Sequence, residues 1–393
     1  MTKTVTATIE PELLKWARET AGFSLDDAAK KIQIKPERLD ACERGDAYLT
    51  FRQLGEIANA YKRPVALFYL AAPPRQEPGI HDFRLDPRVA NKPLSPLSNI
   101  EIRRARQRRD EALELAKEID QDIPAFAPHA AMREDPEAVA TRINAALGAS
   151  HTVRKAWKSA NVAYNNRKSA VEALDVLVFE ASRIPILEMR GVSLPFEHLP
   201  VIVVNGADSP NGRSFTLLHE LTHLFLRQGG ICDMAMSESN TPDARIEAFC
   251  NAVSAASLMP ADETLALLPK GNVQDWTMEE LRQMAKPFHV SREAMLRRLV
   301  TLGRATRRHY FAMRPKFIEE YRTYREDQKS DSEGGPSPAV MAVRNLGRPF
   351  VQLVLGAYAE DRIGLATVSD YLGVKLKHLP RIRDLIRGSE VAA

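Results

Sequence analysis

The sequence predicts an α+β protein that is mostly helical. Apolar residues recur at helical spacing over much of the chain, beginning with five short amphipathic helices within residues 11–72. Three short apolar runs, at 176–180, 186–190 and 200–205, are typical of buried strands and predict a small sheet. The pattern returns to helical spacing at 214–226, so one region of the chain holds both strands and helices.

The bulk composition is that of an ordinary globular chain. Its 393 residues are 44% hydrophobic and 27% charged, with a formal net charge of +4, and this length is typical of two or three domains. No apolar run approaches the roughly 18 residues of a membrane span, and the N-terminus lacks the apolar core of a signal peptide. Three cysteines form no disulfide framework. We therefore expect a cytoplasmic protein with no membrane partner.

One stretch carries recognisable chemistry. His219-Glu220-Leu-Thr-His223 lies within an apolar helical run. Residues four apart share one face of an α-helix, so His219 and His223 can offer imidazole nitrogens to one metal ion. Glu220 lies beside them, where it could take a proton from water as the catalytic base. The alternative is a buried helix whose two histidines are satisfied by carbonyl groups, and the cost of burying these groups without a ligand argues against it.

A catalytic zinc site needs three protein ligands and an open position, so a third ligand is expected downstream. Glu247 is the candidate, in the first turn of a helix predicted over 244–260, with Asn251 one turn later to support it. A third histidine at the usual position is excluded, because Gly229 stands there. Cys232 remains a second candidate. We prefer Glu247 because a regular helix can pack against the first one, and we expect Zn²⁺ as the cofactor.

Together these residues resemble the ImmA/IrrE family of zinc metallopeptidases. The resemblance covers 155–300 well and the whole chain more loosely, and it departs from the family at Thr222 and Arg227, where that family usually has Gly and often His. It implies zinc-dependent cleavage of a repressor or another regulatory protein. The matching segments are 213–226, Glu247-x-x-x-Asn251, Leu258-Met-Pro260, Arg190-Gly191, 171–179 and 199–205.

The N-terminal helices show clear boundary signals. Ser24 is a good N-cap, Pro36 suits an early helical position, and Gly45 ends the helix that follows. This region resembles the XRE (Cro/C1-type) helix-turn-helix family. The matching pieces are Ala17-Arg18, Ala21-Gly-Phe-Ser24, Ala28, Glu43-Arg-Gly45 and Leu54.

The second resemblance implies binding to promoter or operator duplex DNA, as a homodimer, with a helix in the major groove. The predicted contacts are Lys35, Arg38 and Arg44. The same helix also carries acidic residues, and acidic and basic residues nearly balance over 1–74. A helical module that docks a protein or the catalytic domain is therefore the alternative.

Two further regions leave alternatives open. Arginines cluster on a long helix predicted over 97–119, which is either a solvated helix or a phosphate-binding stripe. Residues 278–299 have a second helix-turn-helix pattern, and a helical subdomain that packs on the catalytic unit is the favoured interpretation. The predicted domains are an XRE-like domain at 1–72, a Pro-rich linker at 73–98, a metallopeptidase-like domain at 99–303 with its core at 155–265, and a basic helical C-terminal region at 304–393 with a flexible break near 330–338.

The sequence thus predicts a DNA-binding transcriptional regulator fused to a zinc-dependent endopeptidase. The alternative is a non-proteolytic regulator or antitoxin-like protein with a structural or vestigial metal site. A structural site would be closed by a fourth ligand such as Cys232 and would not need Glu220. An oxyanion stabiliser is also required. Arg213 is one candidate for it, with a structural ion pair as the alternative for that residue.

Overall fold

The computed structural model describes residues 6–74, 81–82, 92–232, 241–269, 274–330 and 335–390. The structure is 62% helical and also contains a small mixed sheet. The predicted class, α+β and mostly helical, is therefore confirmed. The described residues fall into two compact units. The first lies within residues 1–81 and 91–104, and the second within 82–90 and 105–393.

The first unit is a small helical bundle with a two-stranded ribbon. Buried side chains from all four of its N-terminal helices form its core, including Leu14, Leu39 and Leu54. In the ribbon, Thr6 pairs with Thr50 and Ala7 with Leu49. Its elements are β1 (Thr6–Ala7), α1 (Pro11–Thr20), α2 (Leu25–Lys31), α3 (Pro36–Arg44), β2 (Leu49–Thr50), α4 (Phe51–Tyr61) and a 3₁₀ helix (Val65–Tyr69).

The predicted boundary signals of this unit are confirmed. The Ser24 side chain accepts a hydrogen bond from the backbone N–H of Asp27, and Pro36 opens α3. Gly45 ends α3 with φ of +85°, a left-handed conformation that glycine adopts at little cost. The last of the five predicted helices is a short 3₁₀ helix.

The second unit contains the remaining helices and a mixed sheet. Two elements, β3 and α5, span the division between the units. The elements are β3 (His81–Asp82), α5 (Pro96–Glu118), α6 (Pro136–Ala146), α7 (His151–Lys155), α8 (Ala160–Glu172), β4 (Leu177–Ala181), β5 (Gly191–Leu194), β6 (Val201–Asn205), α9 (Pro210–Phe225), β7 (Gly230–Cys232), α10 (Pro242–Leu258), α11 (Ala261–Ala266), α12 (Met278–Ala285), a 3₁₀ helix (Lys286–Phe288), α13 (Arg292–Thr301), α14 (Arg307–Ser330), α15 (Pro338–Leu346), α16 (Arg348–Ala359), α17 (Leu365–Leu372), a 3₁₀ helix (Leu376–His378) and α18 (Leu379–Glu390).

The sheet has the strand order β3-β7-β5-β6-β4. Strand β4 runs parallel to β6, with Leu177 opposite Val201, while β5 runs antiparallel to β6 and to β7. Every residue of β4, β5 and β6 is buried. Burial on both faces explains why these strands are nearly continuous apolar runs rather than alternating ones.

The predicted strand at 186–190 is wrong. The backbone N–H groups of Glu188 and Met189 both donate to the carbonyl oxygen of Pro185, so this segment is a turn. Proline fixes its own φ and favours turn formation, and this local geometry outweighs the apolar character of the segment. The strand begins instead at Gly191.

Two predicted helices have different bounds in the structure. The sequence pattern over 153–174 is typical of one helix, but the structure has α7 and α8 there, because the Ser159 side chain caps a new helix by accepting from the N–H of Val162. The helix predicted over 244–260 begins at Pro242, so Glu247 lies in its second turn and not in its first.

The core of the second unit surrounds α9. Side chains from α6, α8 and α10 pack there with residues of α12 and α13. The second helix-turn-helix pattern is therefore part of this core, through Leu281, Leu296 and Leu299. Among the described helices, none is both long enough and apolar enough to cross a lipid bilayer.

The arginines of α5 are not fully solvated. Arg103 donates to the backbone oxygens of Tyr61 and Lys62. Arg109 donates to the carbonyl oxygen of His198 through both Nε and Nη2, at 3.2 and 2.8 Å, and lies over the Phe196 ring. These side chains serve packing rather than a continuous solvated face.

Candidate metal centre

Helix α9 is buried along nearly its whole length. The Ser209 side chain caps it by accepting from the N–H of Gly212 at 3.1 Å, and Pro210 occupies its first turn. Its residues from Arg213 to Phe225 are buried apart from Phe215. A helix surrounded by protein on every side can hold polar groups only where these find partners or ligands. His219, Glu220 and His223 are such groups.

Helix α10 supplies the third member of the site. The Thr241 side chain caps this helix by accepting from the N–H of Ala244 at 3.2 Å. The helix packs along α9, and this contact brings Glu247 opposite the two histidines. His219, Glu220 and His223 are fully buried, and Glu247 is 1% exposed.

Three side-chain donor groups converge at one point. His223 Nε2 lies 3.0 Å from Glu247 Oε1 and 3.1 Å from His219 Nε2, and His219 Nε2 lies 3.3 Å from Glu247 Oε2. His219, His223 and Glu247 form the one cluster of metal-ligand type found among the described residues. The structure therefore brings together the three residues that the sequence singled out.

The electrostatics of the cluster are dominated by Glu247. Burial raises the pKa of this carboxyl, but the two histidines outweigh burial and hold the pKa well below its usual range. Burial lowers the pKa of His223. Burial acts in the same direction on His219, but Glu247 outweighs it and raises the pKa of that imidazole. The site thus holds an ionised carboxylate against imidazole nitrogens in a buried environment.

This geometry fits a divalent cation. Tetrahedral zinc holds nitrogen and oxygen ligands at about 2.0–2.1 Å, which places the ligand atoms about 3.3 Å from each other. The three contacts among the donor atoms are 3.0, 3.1 and 3.3 Å. Two imidazoles and one carboxylate are also a common donor set of catalytic zinc. The residues present therefore fit such an ion.

Gly191 leaves room for Glu220 to lie close against the sheet. A Cβ atom at Gly191, the first residue of β5, would lie 2.6 Å from Glu220 Oε1 and 2.6 Å from Thr216 Cγ2. Only a residue without a side chain allows this approach between α9 and β5. The sequence placed Gly191 near a strand, but nothing local in the sequence indicated that it touches Glu220.

Asn251 lies one turn beyond Glu247 on α10 and acts on His219. Its amide contributes to raising the pKa of His219, although its Oδ1 makes no hydrogen bond of normal geometry. The sequence predicts that Asn251 supports Glu247, whereas the interaction found is with His219, so support of Glu247 stays a prediction. Phe215 is a neighbour that the sequence analysis missed, and its ring stacks on His219 with the ring centroids 6.4 Å apart.

Two of the three cysteines bear on the metal centre, namely Cys250 and Cys232. Burial raises the pKa of the Cys250 thiol, with Glu247 and Glu220 adding to the effect. A thiol held protonated is a poor metal ligand. The side chain of Cys232 lies outside the described residues, so its proposed role as a fourth ligand stays a prediction.

Arg213 forms a structural ion pair, which is the alternative to a role as oxyanion stabiliser. Its Nη1 lies 3.0 Å from Glu180 Oε2, and its guanidinium lies over the Tyr164 ring.

Thr222, which departs from the family pattern, donates its hydroxyl to the carbonyl oxygen of Leu218 at 2.8 Å. This bond within α9 accommodates the threonine without a partner from outside the helix.

The three predicted DNA contacts are exposed on the first unit, on or next to α3. Arg38 donates to the carbonyl oxygen of Tyr48 at 3.3 Å. Arg44 forms ion pairs with Asp40 and Asp46, the latter at 2.9 Å. The charge of Arg44 is therefore already offset by two carboxylates, whereas Lys35 and Arg38 have no such ion pairs among the described residues.

A His-Glu-x-x-His helix with a carboxylate ligand from a second helix is the arrangement of zinc-dependent peptidases. Residues 171–300 match the family model of the IrrE N-terminal-like domain, peptidase family M78. This match covers α9 and α10 and supports a metal-dependent hydrolase of the ImmA/IrrE type for this part of the chain. No curated protein matches the chain.

Proposed function

We propose that the second unit is a zinc-dependent endopeptidase whose centre is formed by His219, His223 and Glu247, with Glu220 as the catalytic base. The observation that carries this proposal is the convergence of the three donor groups from two helices, with a buried carboxylate next to them on α9. The match of residues 171–300 to a peptidase family supports it.

The residues of the chain have separate tasks in this reaction. A bound divalent ion would polarise the scissile carbonyl and water as a Lewis acid. The carboxylate of Glu220 takes a proton from the attacking water and passes it to the leaving amine nitrogen. The absence of a side chain at Gly191 leaves room for this carboxylate against β5, since a Cβ there would lie 2.6 Å from Glu220 Oε1. The full burial of the site excludes bulk water and strengthens these interactions.

Two variants distinguish a catalytic metal site from a structural one. Glu220→Gln keeps the size of the side chain but removes its basicity, so we expect metal content and fold to be retained and cleavage to be lost. Cys232→Ser should be nearly harmless. A structural site predicts the reverse order, with Cys232→Ser losing metal and Glu220→Gln having little effect. Glu279→Gln on α12, whose side chain is 62% exposed, is the matched control.

Metal content tests the ligand set independently of the substrate. Elemental analysis of the purified chain should give one divalent ion per protein, and the double variant His219→Ala/His223→Ala should contain none. Undiminished metal in that variant would contradict the assigned ligands. Removal of the ion should loosen α9 and α10, because it cross-links them.

We further propose that the substrate is a repressor or another locally encoded regulatory protein, and that the first unit binds promoter or operator DNA as a homodimer. The helical bundle, its caps and the exposed Lys35 and Arg38 support DNA binding. Incubation of the chain with proteins encoded by neighbouring genes, followed by mass spectrometry of the products, identifies the substrate and its cleavage site.

DNA binding has its own test. Footprinting on the promoter of the gene should show protection at low salt that weakens steeply as salt increases, since phosphate contacts release counterions. Arg38→Glu should reduce binding more than Arg44→Glu, because the charge of Arg44 is already offset by Asp40 and Asp46. A blank footprint at low salt would favour the alternative, in which the first unit docks a protein.

The second candidate function is a non-proteolytic regulator or antitoxin-like protein. It is favoured if Glu220→Gln leaves the biological effect intact while metal stays bound. Both candidate functions include the metal centre, so variants of the metal ligands cannot distinguish them. The Glu220→Gln variant can.

A further inference from the structure

A pocket of about 210 Å³ opens on the second unit between residues 147 and 170. Five apolar side chains form most of its lining, among them Leu147, Ala149 and Trp157, and the two polar lining residues are Asn166 and Arg167. The pocket lies on the α8 side of α9. It includes none of the metal-centre residues, and it falls outside the residues matched by the peptidase family.

Arg167 is a buried cation without an anionic partner among the described residues. It is 3% exposed, and its guanidinium makes one hydrogen bond, from Nη1 to Ser214 Oγ at 3.4 Å. The carbon of the guanidinium lies 4.7 Å from the centre of the Trp157 ring. Burial, with a further contribution from the charge of Arg154, lowers the pKa of Arg167 to about 9. No ion pair compensates for these two effects.

The other buried arginines of this unit show what is missing. Arg154 pairs with Glu263, Arg213 with Glu180, and Arg298 with Glu137. Buried charges in proteins are normally paired in this way, because a desolvated ion without a partner is costly. Arg167 departs from this pattern, and it does so where its side chain borders a pocket. A ligand that brings a negative charge would supply the missing partner.

We propose that this pocket binds a small organic carboxylate, with Arg167 pairing with the carboxylate and the apolar walls enclosing the rest of the ligand. The planar guanidinium matches the two oxygens of a carboxylate. At about 30 Å³ for each water-sized group, the pocket holds about seven such groups. Inorganic phosphate is a poorer fit, since it would leave the apolar walls without contacts.

The test uses butyrate and benzoate as probes on the full chain, measured by isothermal titration calorimetry. Saturable binding of at least one of them is expected, with binding of the neutral isosteres butyramide or benzamide at least tenfold weaker. Inorganic phosphate should bind more weakly than the carboxylates. Phosphate binding more tightly, or no binding of either carboxylate, would overturn the proposal.

Two variants locate the binding. Arg167→Met removes the charge and keeps an unbranched apolar stem, and Ala170→Leu fills the pocket while keeping the charge. Both should weaken binding at least tenfold. Arg282→Met, on α12 with its side chain 70% exposed, is the matched control and should bind normally. Unchanged binding in both pocket variants would place the carboxylate elsewhere and contradict the proposal.

Thermal unfolding in carboxylate-free buffer gives a readout that requires no ligand. Arg167→Met should raise Tm, because it removes an uncompensated buried charge. Arg298→Met, which removes a buried arginine with an ionic partner, should lower it. If Arg167→Met lowers Tm as Arg298→Met does, the charge of Arg167 is compensated within the protein and the proposal fails. Neither readout depends on peptidase activity.

Discussion

Substitution of Gly191 by alanine tests how Glu220 is held in the metal centre. The added Cβ would lie 2.6 Å from Glu220 Oε1, and ordinary contact begins at 3.4 Å, so the carboxylate oxygen must move by about 0.8 Å. A misplacement of about 1 Å at a catalytic group costs roughly 100-fold in rate, or about 2.7 kcal/mol of transition-state stabilisation. We therefore expect Gly191→Ala to retain metal and to lose about 100-fold in kcat/KM.

The same substitution should also reduce stability. The Cβ would also lie 2.6 Å from Thr216 Cγ2, one turn before Glu220 on α9, so the helix itself must shift from β5. Overpacking of this kind costs about 1–3 kcal/mol. The double variant Gly191→Ala/Thr216→Ser removes the methyl contact and should recover part of the stability, whereas the clash with Glu220 and the loss of activity should remain.

The assays are cleavage of the identified partner, metal content by elemental analysis, and urea unfolding. Gly364→Ala is the control, because a Cβ at Gly364 would have no neighbour within 4 Å and this glycine does not need a left-handed φ. Cleavage by Gly191→Ala at the rate of the unmodified protein would refute the conclusion that β5 positions Glu220.

Three further variants probe the structure away from the metal centre. Burial raises the pKa of Glu172 from 4.5 to about 7, so ionisation of this acid disfavours the folded state and stability should fall by about 3 kcal/mol between pH 4.5 and 7; urea unfolding across this range should show a smaller fall for Glu172→Gln. Gly55 lies within α4, and a Cβ there would meet nothing within 4 Å, so Gly55→Ala should slow hydrogen exchange in α4 by an amount equivalent to about 1 kcal/mol. Arg298→Met removes bonds to Met259 O and to Glu137 and should cost about 3 kcal/mol in urea unfolding, and a cost below about 1 kcal/mol would show that these bonds are dispensable.

Local signals explain what the sequence could predict. The spacing of His219 and His223 fixes both on one helical face whatever surrounds the helix. The caps at Ser24 and Gly45 work in the same way, since each depends on the conformation of a few neighbouring residues. Such features are set within one or two turns of the chain.

Long-range contacts explain what the sequence could not predict. The approach of Gly191 to Glu220 joins residues that are 29 positions apart in the sequence and depends on how α9 packs on the sheet. The missing ion pair of Arg167 is equally invisible, because its sequence neighbours do not show which acids reach it in the fold. The wrong strand prediction at 186–190 has a different cause. Pro185 is a local signal for a turn, but the apolar pattern of the residues after it favours a strand.

Helix α9 shows why motif spacing was more informative here than hydrophobic periodicity. It meets β5 at Gly191, α10 at Glu247 and α8 through the Ser214 contact with Arg167. With partners on several sides, it is buried almost all round and has no polar face to mark its orientation. The apolar pattern therefore identifies a buried helix without indicating which face carries the chemistry. Only the spacing of the two histidines and the adjacent acid gives that information, and Glu247 completes it from a helix whose position is fixed by packing rather than by sequence.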